Sequence, residues 1–141
     1  MAQKKPLIRR SIILVMYLLD SDILIWILRN NKNVVNQISQ LKKKSELAIS
    51  VISIAEIYRN IFPSEIVETE QFIKRHIIFD VDTQIAKMAG FYWQEYHKNL
   101  QNLSLTDCLI AATANTNSAT LVSLNTKHFP MKDIRLLNPL A

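Results

Sequence analysis

The chain of 141 residues contains one glycine, Gly90, and one cysteine, Cys108. A single glycine excludes the glycine-rich loops that cradle phosphates, both the P-loop and the dinucleotide fingerprint. A single cysteine excludes an internal disulfide and suits a reducing compartment. Cys108 and the three histidines, His76, His97 and His128, have no zinc-ligand spacing. The apolar run from Ile12 to Leu19 ends at Asp20, far short of the ~20 residues that span a bilayer. Its context, "KKPLIRRSIILVMYLLD", has the basic and apolar segments of a secretory leader, but no small-residue cleavage site follows. A short strand, apolar on both faces, explains the run better.

What is present points to one packed domain. Hydrophobic residues make up 49% of the chain, which argues against disorder, and the length suffices for one real core. The net charge is +5, which invites a nucleic-acid reading. Lys4, Lys5, Arg9 and Arg10 carry much of it, and without them 13 basic residues face 12 acidic ones. Charge alone is therefore weak evidence for a polyanionic partner. We divide the chain into a basic extension, 1–15, leading into the first strand, and a single domain, 16–141. Met16 is a plausible natural start, and nothing in the pattern marks a membrane protein.

The periodicity predicts alternating elements. Ile12 to Leu19 reads as a strand, followed by a short helix in "ILIWILRN" and a second in "NVVNQISQLKKK", with Val34, Val35, Ile38 and Leu41 at helical spacing. "ELAISV" reads as a strand and "ISIAEIYRNIF" as a helix. "SEIVETEQFIKRH" is another helix, with Pro63 and Ser64 at its start. "HIIFDV" is a strand. "DTQIAKMAGFYWQEYHKN" is a long helix capped by Asp82, and "SLTDCLIAATANT" a helix capped by Ser104. "TLVSLN" and "IRLL" complete the strands. Strands separated by helices predict an α/β fold of three layers, α/β/α, around a central parallel sheet. In such sheets sites form beyond the carboxyl ends of the strands. Asp20, in "YLLDSDILIWIL", lies there, and Asp22 falls in the first turn of the next helix.

Several other acids could join Asp20. Glu56 sits in "SIAEIY" in apolar company, although spacing alone favours a solvated helix face. Asp107 sits at the third position after Ser104 and fits a capping box, and a first-turn acid also points toward the strand ends. Asp80 and Asp82 in "FDVD" mimic "DSD", with Asp82 better explained as a cap. Spacing alone selects no unique set.

"YLLDSDILIWIL" resembles the opening of PIN domains, particularly the VapC-type ribonuclease toxins of bacterial toxin–antitoxin pairs. "ISVISIAEIYRNI" resembles the second motif of that family, "LSLTDCLIAATA" the third and "LVSLNTKHFP" the fourth. Four motifs in order, from about Met16 to Pro139, form a specific pattern. The resemblance implies a PIN-like sheet ordered 3-2-1-4-5, an acidic pocket for Mg²⁺ or Mn²⁺, and hydrolysis of RNA in the cytoplasm. It carries the catalytic and metal-binding roles onto Asp20, Glu56 and Asp107, with Ser21 near the metal. It also implies a cognate antitoxin and a homodimer. With that strand order, Asp80 starts roughly 10 Å from Asp20, on the side away from the fourth strand. It is poorly placed to share a metal.

The fourth motif departs from the family. Many members place a further acid there, where this chain has Asn125, Lys127 and His128. An amide can hold a metal-bound water but brings no charge, so Asn125 and Asp22 are assigned supporting positions around the metal. Lys127 and His128 are candidates for contact with RNA phosphate. Oxygen donors suit Mg²⁺ or Mn²⁺, which keep several waters, and a divalent ion offsets the repulsion among clustered carboxylates. The competing readings are a non-catalytic PIN-like RNA-binding or scaffold protein and an aspartyl-phosphate phosphatase. The second suffers from a short chain and the lack of a matching lysine motif.

Overall fold

The structure, a computed structural model, describes residues 15–141. The first three residues of the expected first strand, and the four basic residues of the extension, lie outside the described residues. Five strands form one parallel sheet in the order β3-β2-β1-β4-β5. They are β1 (Met16–Leu19), β2 (Glu46–Ser50), β3 (Ile77–Phe79), β4 (Thr120–Val122) and β5 (Arg135–Leu137). The helices are α1 (Ser21–Leu28), α2 (Lys32–Lys42), α3 (Val51–Tyr58), α4 (Ile66–Lys74), α5 (Thr83–Tyr96) and α6 (Leu105–Thr116), with 3₁₀ turns at Pro63–Glu65 and Thr126–His128. This is the α/β/α sandwich expected from the alternation and the 3-2-1-4-5 order expected from the resemblance.

The strands are apolar on both faces because both are covered. Leu18 and Leu121 turn to one side, where Ala89 and Tyr92 of α5 and Ile110 and Ala114 of α6 pack against them. Leu19, Ile49 and Val122 turn to the other, against Ile23 and Leu24 of α1, Val34 and Ile38 of α2, Ile57 of α3 and Phe72 of α4. The side chains of β1 alternate at a period of two between two dry layers, so β1 is the centre of the molecule and Asp20 leaves from that centre.

Side-chain caps set where the helices start. Asn31 Oδ1 accepts from Val34 N at 3.1 Å and Asp82 Oδ1 from Ile85 N at 2.9 Å. Of the expected capping box, only one half forms among the described residues. Ser104 Oγ accepts from Asp107 N at 3.0 Å, and the Asp107 carboxylate does not return to Ser104. At the opening of α4, Glu65 Oε1 accepts from Phe62 N at 3.0 Å.

The scarcity of glycine has a visible consequence. The left-handed turns that join α1 to α2 and α6 to β4 are made by Asn30 (φ 59°) and Ser118 (φ 53°). Asn bears that region at modest cost because its short polar side chain bonds locally, and Ser bears it less well. Gly90 instead lies within α5.

Candidate active site

Three neighbouring strands end on polar residues at one level. The register pairs Leu18 with Ala48 and Leu19 with Val122, so Asp20 stands level with Ser50 on one side and Ser123 on the other. All three are buried, Ser50 and Ser123 completely and Asp20 with 8% of its surface exposed. The sheet continues one step through Asp20 N–H, which donates to Val122 O at 2.9 Å. Each polar residue then begins a task. Asp20 caps α1, its Oδ1 accepting from Ser21 N at 2.9 Å, and Ser50 caps α3, its Oγ accepting from Ile52 N at 3.0 Å.

Ser123 joins the two acids of "DSD". Its hydroxyl lies 2.9 Å from Asp20 Oδ2 and 3.3 Å from Asp22 Oδ2. The hydroxyl has one proton to donate, so its stronger bond goes to one carboxylate at a time. Its oxygen also accepts from Asn125 N at 3.0 Å. Asp22 Oδ2 receives Leu124 N at 3.0 Å and Asn125 Nδ2 at 3.1 Å, and its Oδ1 receives Ile23 N at 2.7 Å. Asp22 thereby ties the start of α1 to the exit of β4. Asn125, placed near the metal by the resemblance, touches Asp22 directly. Of Ser21, the backbone N–H reaches the Asp20 carboxylate.

Electrostatics follows from this placement. Burial first, and then the charges of Asp22 and Glu56, raise the Asp20 carboxyl to about 7 against the opposing bonds from Ser123 and Ser21 N. Burial also raises Asp22, against the donors from Leu124, Ile23, Ser123 and Asn125. The N-terminal ends of α1, α3 and α6 face this edge of the sheet and lend it partial positive charge. Among the described residues no lysine or arginine pairs with Asp20 or Asp22.

The remaining acids stand around this pair. Glu56 is half-buried on α3 and lines a cavity of about 130 Å³ with Ile25, Ile57, Ile61, Glu65 and Glu68. Asp107, 21% exposed, lies with Oδ2 3.9 Å from His128 Nδ1, and the imidazole is half exposed. Lys127 is exposed beside it. With these side-chain positions, no group of three His, Cys, Asp or Glu residues among those described is arranged to hold one ion. Asp80 is exposed after β3, two strands from Asp20.

Sequence reasoning missed Ser123, whose hydroxyl stands between buried Asp20 and half-buried Asp22. The signal was available in part: "LVSLN" ends a strand on a hydroxyl, as "ELAIS" does and as "YLLD" ends on a carboxylate. Only the register shows that the three ends coincide.

Comparison with known proteins identifies the family and the fold. Residues 17–134 match the PIN domain family. Ribonuclease VapC10 of Mycobacterium tuberculosis (strain ATCC 25618 / H37Rv) is 34% identical over 116 residues, covering 82% of this chain and 87% of that protein. Among solved structures, VapBC2 from Rickettsia felis, bound to a DNA fragment from its promoter, superposes with a TM-score of 0.76 and 24% identity over 88% of this chain and 98% of that one. A toxin–antitoxin complex from Klebsiella pneumoniae superposes with a TM-score of 0.68 and 25% identity over 87% of this chain and 97% of that one.

Proposed function

Because this chain belongs to the PIN domain family, as a VapC ribonuclease, we propose that it is the toxin of a type II toxin–antitoxin pair and hydrolyses RNA phosphodiesters with the help of Mg²⁺ or Mn²⁺. The observation that carries the metal is the cost of Asp20. Its carboxylate is buried beside Asp22 and within the field of Glu56, with no cationic side chain among the described residues to balance it. Burying a carboxylate without a counter-charge is expensive. A hard divalent ion is the partner such oxygen donors suit. Asp20, Glu56 and Asp107 would hold it, with Ser21, Asn125 and Asp22 supporting. When bound, such an ion supplies an acidified water and a counter-charge for the phosphate in its transition state.

The chain's own residues have further parts. Ser123 holds Asp20 Oδ2 and so orients the carboxylate at the end of β1. Asp22, fixed by four donors, keeps α1 and the β4 exit together around it. Asn125 keeps its Nδ2 on Asp22 and adds no charge to the pocket. His128 lies beside Asp107 at the mouth of the site, and its imidazole and the Lys127 ammonium would meet the RNA backbone.

Partners follow from two apolar surfaces. The cavity between α1, α3 and α4 has an apolar floor of Ile25, Leu28, Ile57 and Ile61, and its charged rim of Glu56, Glu65 and Glu68 outweighs the one cation there, Arg29. Trp26 on α1 and Phe62 just after α3 are exposed aromatic residues, 41% and 69% accessible. That combination suits a basic, amphipathic segment of an antitoxin. On the other side of the sheet, Phe91, Trp93 and Leu105 are exposed on α5 and at the start of α6, and a second copy of the chain would cover them. No helix among the described residues is long and apolar enough to cross a membrane, and we place the activity in the cytoplasm.

The test is cleavage of RNA by the purified protein across a titration of Mn²⁺ and Mg²⁺, beside Asp20→Asn. Metal-dependent cleavage lost in the variant is expected. Cleavage by Asp20→Asn at the wild-type rate, or activity unchanged by chelation, would overturn the proposal.

A further inference from the structure

Five of the thirteen lysines and arginines among the described residues stand at two helix ends, on the side of the sheet away from Asp20. Lys42, Lys43 and Lys44 lie at the end of α2, and Lys74 and Arg75 at the end of α4. Both ends reach the amino edge of the sheet, beside the first residues of β2 and β3. Two adjoining cavities open there, of about 320 and 230 Å³, and Lys42, Arg75 and His76 line both. Ile38, Leu47 and Phe72 form an apolar floor in the larger. His76 makes a fixed wall: its ring lies 4.7 Å from that of Phe72, and its Nδ1 is 2.8 Å from Phe72 O. Its protonation is disfavoured by burial first, and then by the charges of Lys42 and Arg75, which places both cations close around it.

Lysines at helix C-termini have an ordinary explanation, since the macrodipole favours them. The charge count exceeds that need. Two helix ends contribute about −0.5 each and Glu46 at the rim contributes one further negative charge, against five lysines and arginines, so an excess of about +3 remains. Among the described residues none of the five forms an ion pair with a carboxylate.

An enzyme whose reacting end is acidic repels a polyanionic substrate and gains affinity from cations placed elsewhere along its path. We propose that the cleft of Lys42, Arg75 and His76 is a phosphate-binding exosite that holds the backbone of an RNA whose scissile bond lies at Asp20. The proposal rests on the nuclease reading. The five residues of β2, at ~3.3 Å each, put the exosite roughly 16 Å from the level of Asp20. An RNA that engages both points must span that distance, either as an extended strand of several nucleotides or as a short A-form arm.

The experiment measures binding, separately from cleavage. A labelled RNA hairpin with a ten-base-pair stem is titrated with the wild-type chain in EDTA, by fluorescence anisotropy, over a range of salt. Lys42→Glu/Arg75→Glu should weaken binding tenfold or more and lower the salt slope by about two. The neutral pair Lys42→Gln/Arg75→Gln should lie between, and thermal melts of both variants report their folding. Lys87→Glu/Lys98→Glu, which changes net charge equally on the exposed side of α5 and beyond it, should stay within twofold of wild type. Equal weakening by the two charge reversals, or no weakening by either pair at the cleft in folded protein, would overturn the exosite. Binding that follows this pattern in a protein that never cleaves RNA would leave the exosite standing and remove the nuclease reading. Cleavage together with binding indifferent to the cleft would do the reverse.

Discussion

Two polar clusters lie at opposite ends of the same sheet, and they place an acid in opposite surroundings. At the amino end, Tyr92 OH donates to Asp133 Oδ1 at 2.8 Å, and Asn115 Nδ2 reaches Asp133 Oδ2 at 3.1 Å and the tyrosine oxygen at 3.2 Å. The carboxylate there belongs to an exposed residue and receives neutral donors, while burial and then Asp133 raise the tyrosine well above its ordinary range. This cluster pins the approach to β5 against α5 and α6. At the carboxyl end, Asp20 and Asp22 share one buried hydroxyl, and the Asp20 carboxyl rises to about 7. The first cluster is complete as it stands, and the second is left with charge that its neighbours do not balance. Perturbed acids of that kind mark functional sites more often than structural ones.

The sharpest break of this comparison is loss of activity. Asp20→Asn, Glu56→Gln and Asp107→Asn should each lower RNA cleavage by roughly a thousandfold. Metal-free Asp20→Asn should melt no lower than wild type, because a costly buried charge has been removed. Tyr92→Phe should leave cleavage untouched.

Stability should separate the clusters next. Asp22→Ala strands Leu124 N, Asn125 Nδ2 and Ile23 N and should cost about 3 kcal/mol in urea unfolding. Tyr92→Phe should cost only about 1 kcal/mol, since Asn115 still bonds Asp133. A reversed order would show that the amino end holds the fold more firmly.

The pH dependence has a definite sign. The folded-state value for Asp20, about 7, lies above its unfolded value of 3.8, so the folded chain binds that proton more tightly. Relative to Asp20→Asn, the metal-free protein should be most stable below pH ~4 and lose on the order of a few kcal/mol as pH rises to ~7. Saturating Mn²⁺ should flatten or reverse that slope. A difference between the two proteins that does not vary with pH would remove the premise that the Asp20 charge is uncompensated.

Smaller effects test the periphery. Asn125→Asp replaces a donor to Asp22 with a like charge, so the metal-free protein should lose about 1 kcal/mol, while half-maximal activity should move to lower Mn²⁺. His128→Ala should leave the metal requirement unchanged. The least effect is expected from a chain beginning at Met16, which retains β1 and should fold and cleave. Insoluble product would assign residues 1–15 to the fold.

Much of this was legible in the chain itself. Period-two and helical patterns are local, so the alternation of strands and helices, the buried β1, the Asp82 cap and the Ser104 cap could all be read without a structure. The ordered motifs around Asp20, Glu56 and Asp107 carried the family and its strand order. Boundaries were less legible: β4 ends at Val122, short of the expected Asn125, because Ser123 already turns its side chain to the acids. The joining of Asp20 to Ser123 lay beyond the sequence, because 103 positions separate them and no local pattern encodes parallel register. The tertiary structure alone decided that three strand ends coincide, that Asp22 faces the β4 exit rather than solvent, and that two separate basic helix ends border one cleft. The physical reason is common to all three: side-chain proximity across a parallel sheet depends on how the crossover helices pack, and packing is a property of the assembled core.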